Sequence, residues 1–266
     1  MRAVDDHLAW PDRLEALVEE LDGFDRVVVL SETDSTQDAA RRESSPPGSV
    51  ILTGRQVAGR GRQGRVWNDE HGDGVAMTIV VPLEDSAFLC ARAAVAVAGA
   101  LVPLLEASRI HAGLKWPNDL VMISDRLRKL AGILVEGHEH TALIGIGINV
   151  HAREWPEALS RSAGSLEEAG LRSTRLEVIE RILLEWDSVC SMTKEALGAA
   201  YARHDLLTGA TAVIEDGRSR HEGVIRSVDP FKGIELETSV GSRLIDPQTA
   251  HVIEWQLPDA LKRGRG

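Results

Sequence analysis

The stretch from Gly59 to Val75 leaves no room for a helix, and that spacing rules out the fold its glycines first suggest. Gly59-x-Gly61-x-x-Gly64 satisfies the dinucleotide-binding pattern. An apolar run, Ser49 to Leu52, precedes it, and Glu84 and Asp85 lie about 20 residues on. In that fold the third glycine opens a helix that packs on the sheet. Here the residues that follow, Arg65 to Gly74, contain two glycines and no apolar period of 3.6. The next apolar run, Val75 to Val81, begins too soon for a crossover helix. A Rossmann site is therefore not expected.

The same stretch is chemically pointed. Residues 54–67 carry Arg55, Arg60, Arg62 and Arg65 and no acid, in a chain of net charge −11. Gly59, Gly61 and Gly64 alternate with those arginines. Glycine lets a backbone approach a ligand closely, at an entropic cost that disfavours order when the site is empty. Guanidinium groups match carboxylates and phosphates bidentately. The stretch reads as a mobile loop that closes over an anionic small molecule, in preference to a solvated basic turn.

Elsewhere the pattern is that of short strands and a few helices. Trp10 to Leu21 has helical periodicity with Asp12 as its cap, and Arg26 to Leu30 reads as a strand. The turn Ser31 to Ser35 opens a short helix that runs to about Glu43. Ser49–Leu52, Val75–Val81, Gly113–Trp116, Leu120–Ile123, Ala131–Glu136 and Thr141–Ile148 read as strands. Short turns separate several of them, so the sheet is expected to be largely antiparallel and the class α+β. Thr174-x-x-Glu177 is a capping box, and Leu176, Ile179, Leu183, Trp186 and Cys190 then repeat at helical spacing. After Leu207-Thr208-Gly209 come five short strand-like runs, indicating a small barrel. The expected units are 1–207, 208–257 and a disordered tail at 258–266.

Composition narrows the class further. At 266 residues and 43% hydrophobic content, the chain holds a packed core, one large domain with a small satellite. Cys90 and Cys190 form neither a disulfide framework nor a zinc pattern, which points to a reducing cytoplasm. No signal-peptide pattern opens the chain. Phe88 to Ala107 is apolar, but Arg92 and Pro103 interrupt it, and Asp85 or Ser86 is placed to cap it. It reads as a buried helix rather than a membrane span. The acidic balance argues against general nucleic-acid binding.

Gly-Arg-Gly-Arg-Gln-Gly-Arg, residues 59–65, resembles the signature loop of biotin protein ligases. Four further segments agree in the family's order: Asp34-Ser35-Thr36-Gln37, Lys115-Trp116-Pro117-Asn118-Asp119, Arg128-Lys129-Leu130-Ala131-Gly132-Ile133-Leu134 and Gly145-Ile146-Gly147-Ile148-Asn149. The resemblance implies a mixed, largely antiparallel sheet with flanking helices, of the class II aminoacyl-tRNA synthetase-like, biotin–lipoate ligase type. It also implies a small C-terminal SH3-like β-barrel. The implied reaction joins biotin to ATP as biotinyl-5′-AMP and passes biotin to a lysine of a biotin carboxyl carrier domain. Mg2+ would be held mainly by the nucleotide phosphates, with no metal site of the protein's own.

Site roles follow from the same resemblance. Biotin would meet Ser35, Thr36, Gln37 (where the family more usually has Asn), Gln56, Gly59, Arg60, Gly61 and Arg62. Lys129 would reach its carboxylate. Gly132 and Leu134 would share the side that Lys129 faces, and Gly145 and Gly147 would leave a flat floor for the bicyclic ring. ATP or the adenylate would meet Arg62, Arg65, Trp67, Lys115, Asn118 and Asn149. Lys115, Arg62, Lys129 and Asp119 would carry the chemistry. About 30 residues precede Asp34, too few for the DNA-binding domain of the family's repressors, so a monofunctional enzyme without DNA binding is expected, as a monomer or weak homodimer. A ligase for lipoate or another carboxylate, and a non-enzymatic biotin sensor, are the alternatives.

Overall fold

The computed structural model describes residues 7–69, 71–124, 126–217, 219–246 and 250–256, so the basic tail at 258–266 lies outside the described residues. α1 (Trp10–Val18) buries Trp10, Leu14 and Val18. Its N-cap is Ala9, without a side-chain bond; Asp12 is therefore not the cap but a first-turn acid, favoured there by the helix dipole. β1 (Arg26–Leu30), α2 (Thr36–Arg42) and β2 (Ser49–Thr53) follow, β2 lying parallel to β1. The glycine–arginine stretch is not an open loop. It forms an antiparallel hairpin, β3 (Gln56–Arg60) and β4 (Val66–Asp69), a two-stranded sheet of its own.

β5 (Gly74–Pro82) then pairs with β2, and α3 (Ser86–Ala107) begins at Asp85, whose carboxylate accepts from the Phe88 N–H at 2.9 Å. β6 (His111–Lys115), β7 (Asp119–Ile123), β8 (Leu127–His138) and β9 (Thr141–Asn149) make an antiparallel meander. The main sheet has the order β1-β2-β5-β9-β8-β7-β6. Among the described pairs in this sheet, β1–β2 is the parallel one. By length and composition α3 would cross a membrane, yet 72% of its most apolar window is buried here against the sheet and two later helices.

Those helices are α4 (Arg175–Cys190) and α5 (Lys194–His204). The capping box at Thr174 and Glu177 is formed as expected. α5 was not anticipated from the sequence, because its face buries little more than Leu197, Ala200 and Tyr201 and so carries a weak periodic signal.

β9 shows how strand alternation positions a site. Ala142, Ile144, Ile146 and Ile148 point into the core shared with α3, while Gly145, Gly147 and Asn149 take the opposite face. α2 lies on that opposite face, with Ala39 and Ala40 packed on Ile51, Val80 and Leu143.

The C-terminal strands are β10 (Thr211–Asp216), β11 (Ser219–Asp229), β12 (Gly233–Thr238), β13 (Gly241–Ile245) and β14 (Ala250–Gln256). They form one antiparallel sheet in the order β13-β12-β11-β10-β14. Phe231 docks it, with its ring 6.0 Å from that of Phe88 and 4.8 Å from the Lys194 ammonium.

Candidate active site

Two adjoining cavities open on the α2 side of the main sheet. The smaller, about 50 Å³, is lined by hydroxyl and amide side chains from the start of α2, by Gln56, and by the glycines of β8 and β9. The larger, about 580 Å³, is lined by Arg62, Arg65, Lys115, Asp119 and Asn149, and reaches Trp255 on β14. Gly61, Arg62, Trp67, Asn118 and Lys129 line both.

In the smaller cavity the polar groups are fixed before any ligand is considered. The Gln56 Oε1 accepts from the Thr36 N–H at 2.9 Å and from the Thr36 hydroxyl at 3.4 Å. Thr78, fully buried beneath, donates its hydroxyl to Thr36 at 2.8 Å. The Gln37 amide donates to the carbonyls of Leu134 and Leu143 at 3.3 and 3.2 Å, tying β8 to β9. Pre-satisfied polar groups of this kind hold their orientation, as a hydrogen-bonding ligand site requires. Ser35, Arg60 and Leu134 also line it.

The glycine floor is not bare. A Cβ on Gly147 would meet the Trp67 indole, with Cζ2 at 2.6 Å, and one on Gly145 would meet the Gln37 amide at 2.8 Å. A Cβ on Gly132 would meet the Lys129 stem at 2.8 Å. The flat surface expected for a ring is present, but the protein's own side chains lie on it. Gly59 does not line either cavity; it sits inside the hairpin, 2.6 Å from the Trp67 carbonyl by the same measure.

Lys129 and Gly132 are three residues apart, which in a regular strand would put them on opposite faces. A bulge at Leu130 corrects this: Leu120 pairs with Ala131 and Val121 with Lys129. The Lys129 ammonium therefore points into the site, 2.6 Å from an Asp119 carboxylate oxygen and 5.5 Å from the Trp67 ring centroid.

The larger cavity is cationic. Lys115 ends β6 opposite Asp119, which begins β7. Burial pushes the Lys115 ammonium below its ordinary range, and Lys129 and Arg65 add to this while Asp119 opposes it. Asn118 donates its amide to the Ile133 carbonyl at 2.7 Å, and Asn149 donates to the Lys129 carbonyl at 3.2 Å, so both amides are braced against β8. Cys90 lies beneath, its thiol 3.5 Å from the Pro117 carbonyl and pushed up to about 12 by burial, which makes it a packing residue rather than a nucleophile. Among the described residues, no group of three or more His, Cys, Asp or Glu side chains is placed to hold a metal ion.

Several lining residues escaped the sequence reading. Arg153 and Trp155 stack, guanidinium to ring centroid 4.3 Å, on the wall of the larger cavity, where no periodicity marks them. Arg60, which the resemblance sets against biotin, lines the smaller cavity, and its guanidinium pairs with Asp38 and with Glu136, the latter at 3.2 Å.

The family model for the biotin/lipoate A/B protein ligases matches residues 28–151. The bifunctional ligase/repressor BirA of Bacillus subtilis is 36% identical over 168 residues, 59% of this chain and 50% of that protein. This chain thus spans about half the length of that relative. The biotin–[acetyl-CoA-carboxylase] ligase of Mycobacterium tuberculosis is 29% identical over 245 residues, covering 87% of this chain and 90% of that one. A solved structure, the biotin protein ligase of Aquifex aeolicus in complex with biotin and ATP, superposes with a TM-score of 0.75 at 25% identity, over 86% of this chain and 99% of that one. Residues 28–151, the segment that the family model matches, contain every residue that lines the smaller cavity.

Proposed function

We propose that this chain is a biotin protein ligase, which activates biotin with ATP and passes it to a lysine of a biotin carboxyl carrier domain. One observation carries the reading: two cavities of different chemistry share a wall that includes Arg62 and Lys129. The amide- and hydroxyl-lined cavity suits the compact donor–acceptor ring of biotin. The cationic one suits nucleotide phosphates. Their junction is where the carboxylate of one substrate would meet the α-phosphorus of the other.

At that junction a biotin carboxylate oxygen attacks the α-phosphorus and pyrophosphate leaves. Two anions must be brought together, so cations fixed in place lower the barrier more than mobile ones. Lys115, Arg62 and Lys129 supply that charge, and Arg65 faces the phosphates. The carrier's lysine amine then attacks the acyl carbon, AMP leaves, and the amine loses its proton. Asp119 is assigned the task of orienting the amine. Asn118 and Asn149 are assigned to the nucleotide. Mg2+ enters with the ATP phosphates, in keeping with an ion that retains most of its waters and needs few protein ligands.

The C-terminal sheet is read as the SH3-like barrel of this family, with the catalytic unit at 1–207 and the small unit at 208–257. We read the protein as a cytoplasmic monomer or weak homodimer without DNA binding, the two free cysteines being in keeping with a reducing compartment.

The test uses purified protein with biotin, ATP, Mg2+ and a carrier domain, read by intact mass of the carrier. The expected result is one biotin on one lysine, with excess lipoate failing to compete. Transfer of lipoate instead would move the reading to the family's other branch.

A further inference from the structure

We propose that Asp38 and Glu136 are positioning residues for this reaction: by pairing with Arg60 they hold the β3–β4 hairpin down over the smaller cavity before any substrate arrives. The inference rests on the function proposed above and adds a task to two acids that no motif marks.

Four side chains from three elements form a closed ring of charge. Arg60, at the end of β3, pairs with both oxygens of Asp38 on α2, one of them at 2.9 Å, and reaches Glu136 on β8 at 3.2 Å. Arg41, one helical turn after Asp38, donates to the same two acids at 2.7 and 2.8 Å. Each acid is thus shared between two guanidinium groups. Pairing with Arg60, the leading cause, and with Arg41 holds the Asp38 carboxyl below its ordinary range, so the ring stays charged at neutral pH. The four side chains are 25–35% exposed, shielded enough for the pairing to fix a direction.

The consequence passes across the hairpin. Arg60 pairs in register with Val66, and Gly59 with Trp67. The root of β3 is bonded to the turn before α2, Val57 N–H to Thr33 O at 3.0 Å and Ala58 N–H to Asp34 O at 2.8 Å. With the root bonded there and the far end held by Arg60, the indole of Trp67 is laid on Gly147 and Gly132. Arg62, two residues on, is brought to the wall shared by both cavities. Because its own acids neutralise it, Arg60 does not compete for the substrate carboxylate, which falls to Arg62 and Lys129.

The experiment compares wild type with the Asp38→Asn/Glu136→Gln double variant by amide hydrogen exchange of the ligand-free protein and by steady-state transfer kinetics. Exchange across residues 57–67 should rise about tenfold in the variant, the scale of one charge-assisted bond, while β5 and β9 keep their protection. The biotin KM should rise by about the same factor, with kcat at saturating biotin within about twofold, since uniform binding alone is lost. Asp38→Glu, which keeps the charge, should restore most of the KM. Unchanged hairpin exchange with an unchanged KM would overturn the proposal. If β9 also loses protection in the double variant, Arg60→Gln probes the same pairing from the hairpin side by exchange alone. A wild type that transfers no biotin would remove the proposed function, while the ligand-free exchange would still decide the latch.

Discussion

Gly147 shows at single-residue scale how tightly the site is drawn. A Cβ there would meet the Trp67 indole, 2.6 Å from Cζ2 and 2.8 Å from Nε1, and that ring is held across the hairpin from Gly59. Gly147→Ala should therefore displace Trp67 rather than the strand, weakening biotin binding by about tenfold, the price of about 1.4 kcal/mol of misfit. Isothermal titration with biotin checks this, and an unchanged Kd would show that the indole moves freely. Arg62 makes a second prediction. Arg62→Gly leaves Lys115 and Lys129 to support adenylate formation but removes a charge-assisted bond of about 1.5–3 kcal/mol, roughly ten- to hundredfold in retention. Biotinyl-adenylate should escape faster and label an unrelated protein; retention equal to wild type would pass the role to Arg65. That Lys115, Arg62 and Lys129 would gather on one cavity wall was legible because their motifs are local. Asp38 and Glu136 were not, because 98 residues separate two acids that meet only through the fold.

At the scale of elements, periodicity told most where a face is apolar and least where backbone irregularity decides. The strands of the main sheet and the α4 capping box were readable from β-branched runs and from Thr174 and Glu177. The hairpin was not, because glycine and arginine carry no strand propensity and its pairing depends on contacts made elsewhere. The Leu130 bulge was equally silent, yet it is what turns Lys129 into the site. At the root of the hairpin, Asp69 is buried, accepts from the Gly74 N–H at 3.0 Å and lies 4.0 Å from Arg153. Burial pushes its carboxyl up from 3.8 to about 6. A folded value above the unfolded one means that wild type loses stability as pH rises through that window. Asp69→Asn, which never ionises, should be more stable than wild type at pH 8 by on the order of 1–3 kcal/mol, the gap closing by about pH 4. Denaturant melts at both pH values check it; a gap that grows on acidification would reverse the sign and refute it.

Seen as a whole molecule, the chain sets one apolar layer behind the sheet and its chemistry in front. α3, α4 and α5 bury the rear face, while α2 and the hairpin flank a front face whose glycines admit side chains rather than solvent. The small C-terminal sheet is locked on by Phe231 and lends Trp255 to the wall of the larger cavity. Arg175, beyond the matched family segment, ties this frame to the hairpin by donating to the Gly54 carbonyl at 2.7 Å while lying 4.7 Å over the Trp10 ring. The central claim is that the two cavities hold the two halves of one mixed anhydride. It is tested most directly in a single turnover. The protein is incubated with labelled biotin, ATP and Mg2+ in the absence of carrier, passed through a desalting column, and then mixed with carrier domain alone. The account predicts that labelled biotinyl-adenylate elutes with the protein, close to one per chain, and moves to one carrier lysine without further ATP. Label that fails to co-elute, or that reaches the carrier only when ATP is added again, would contradict it.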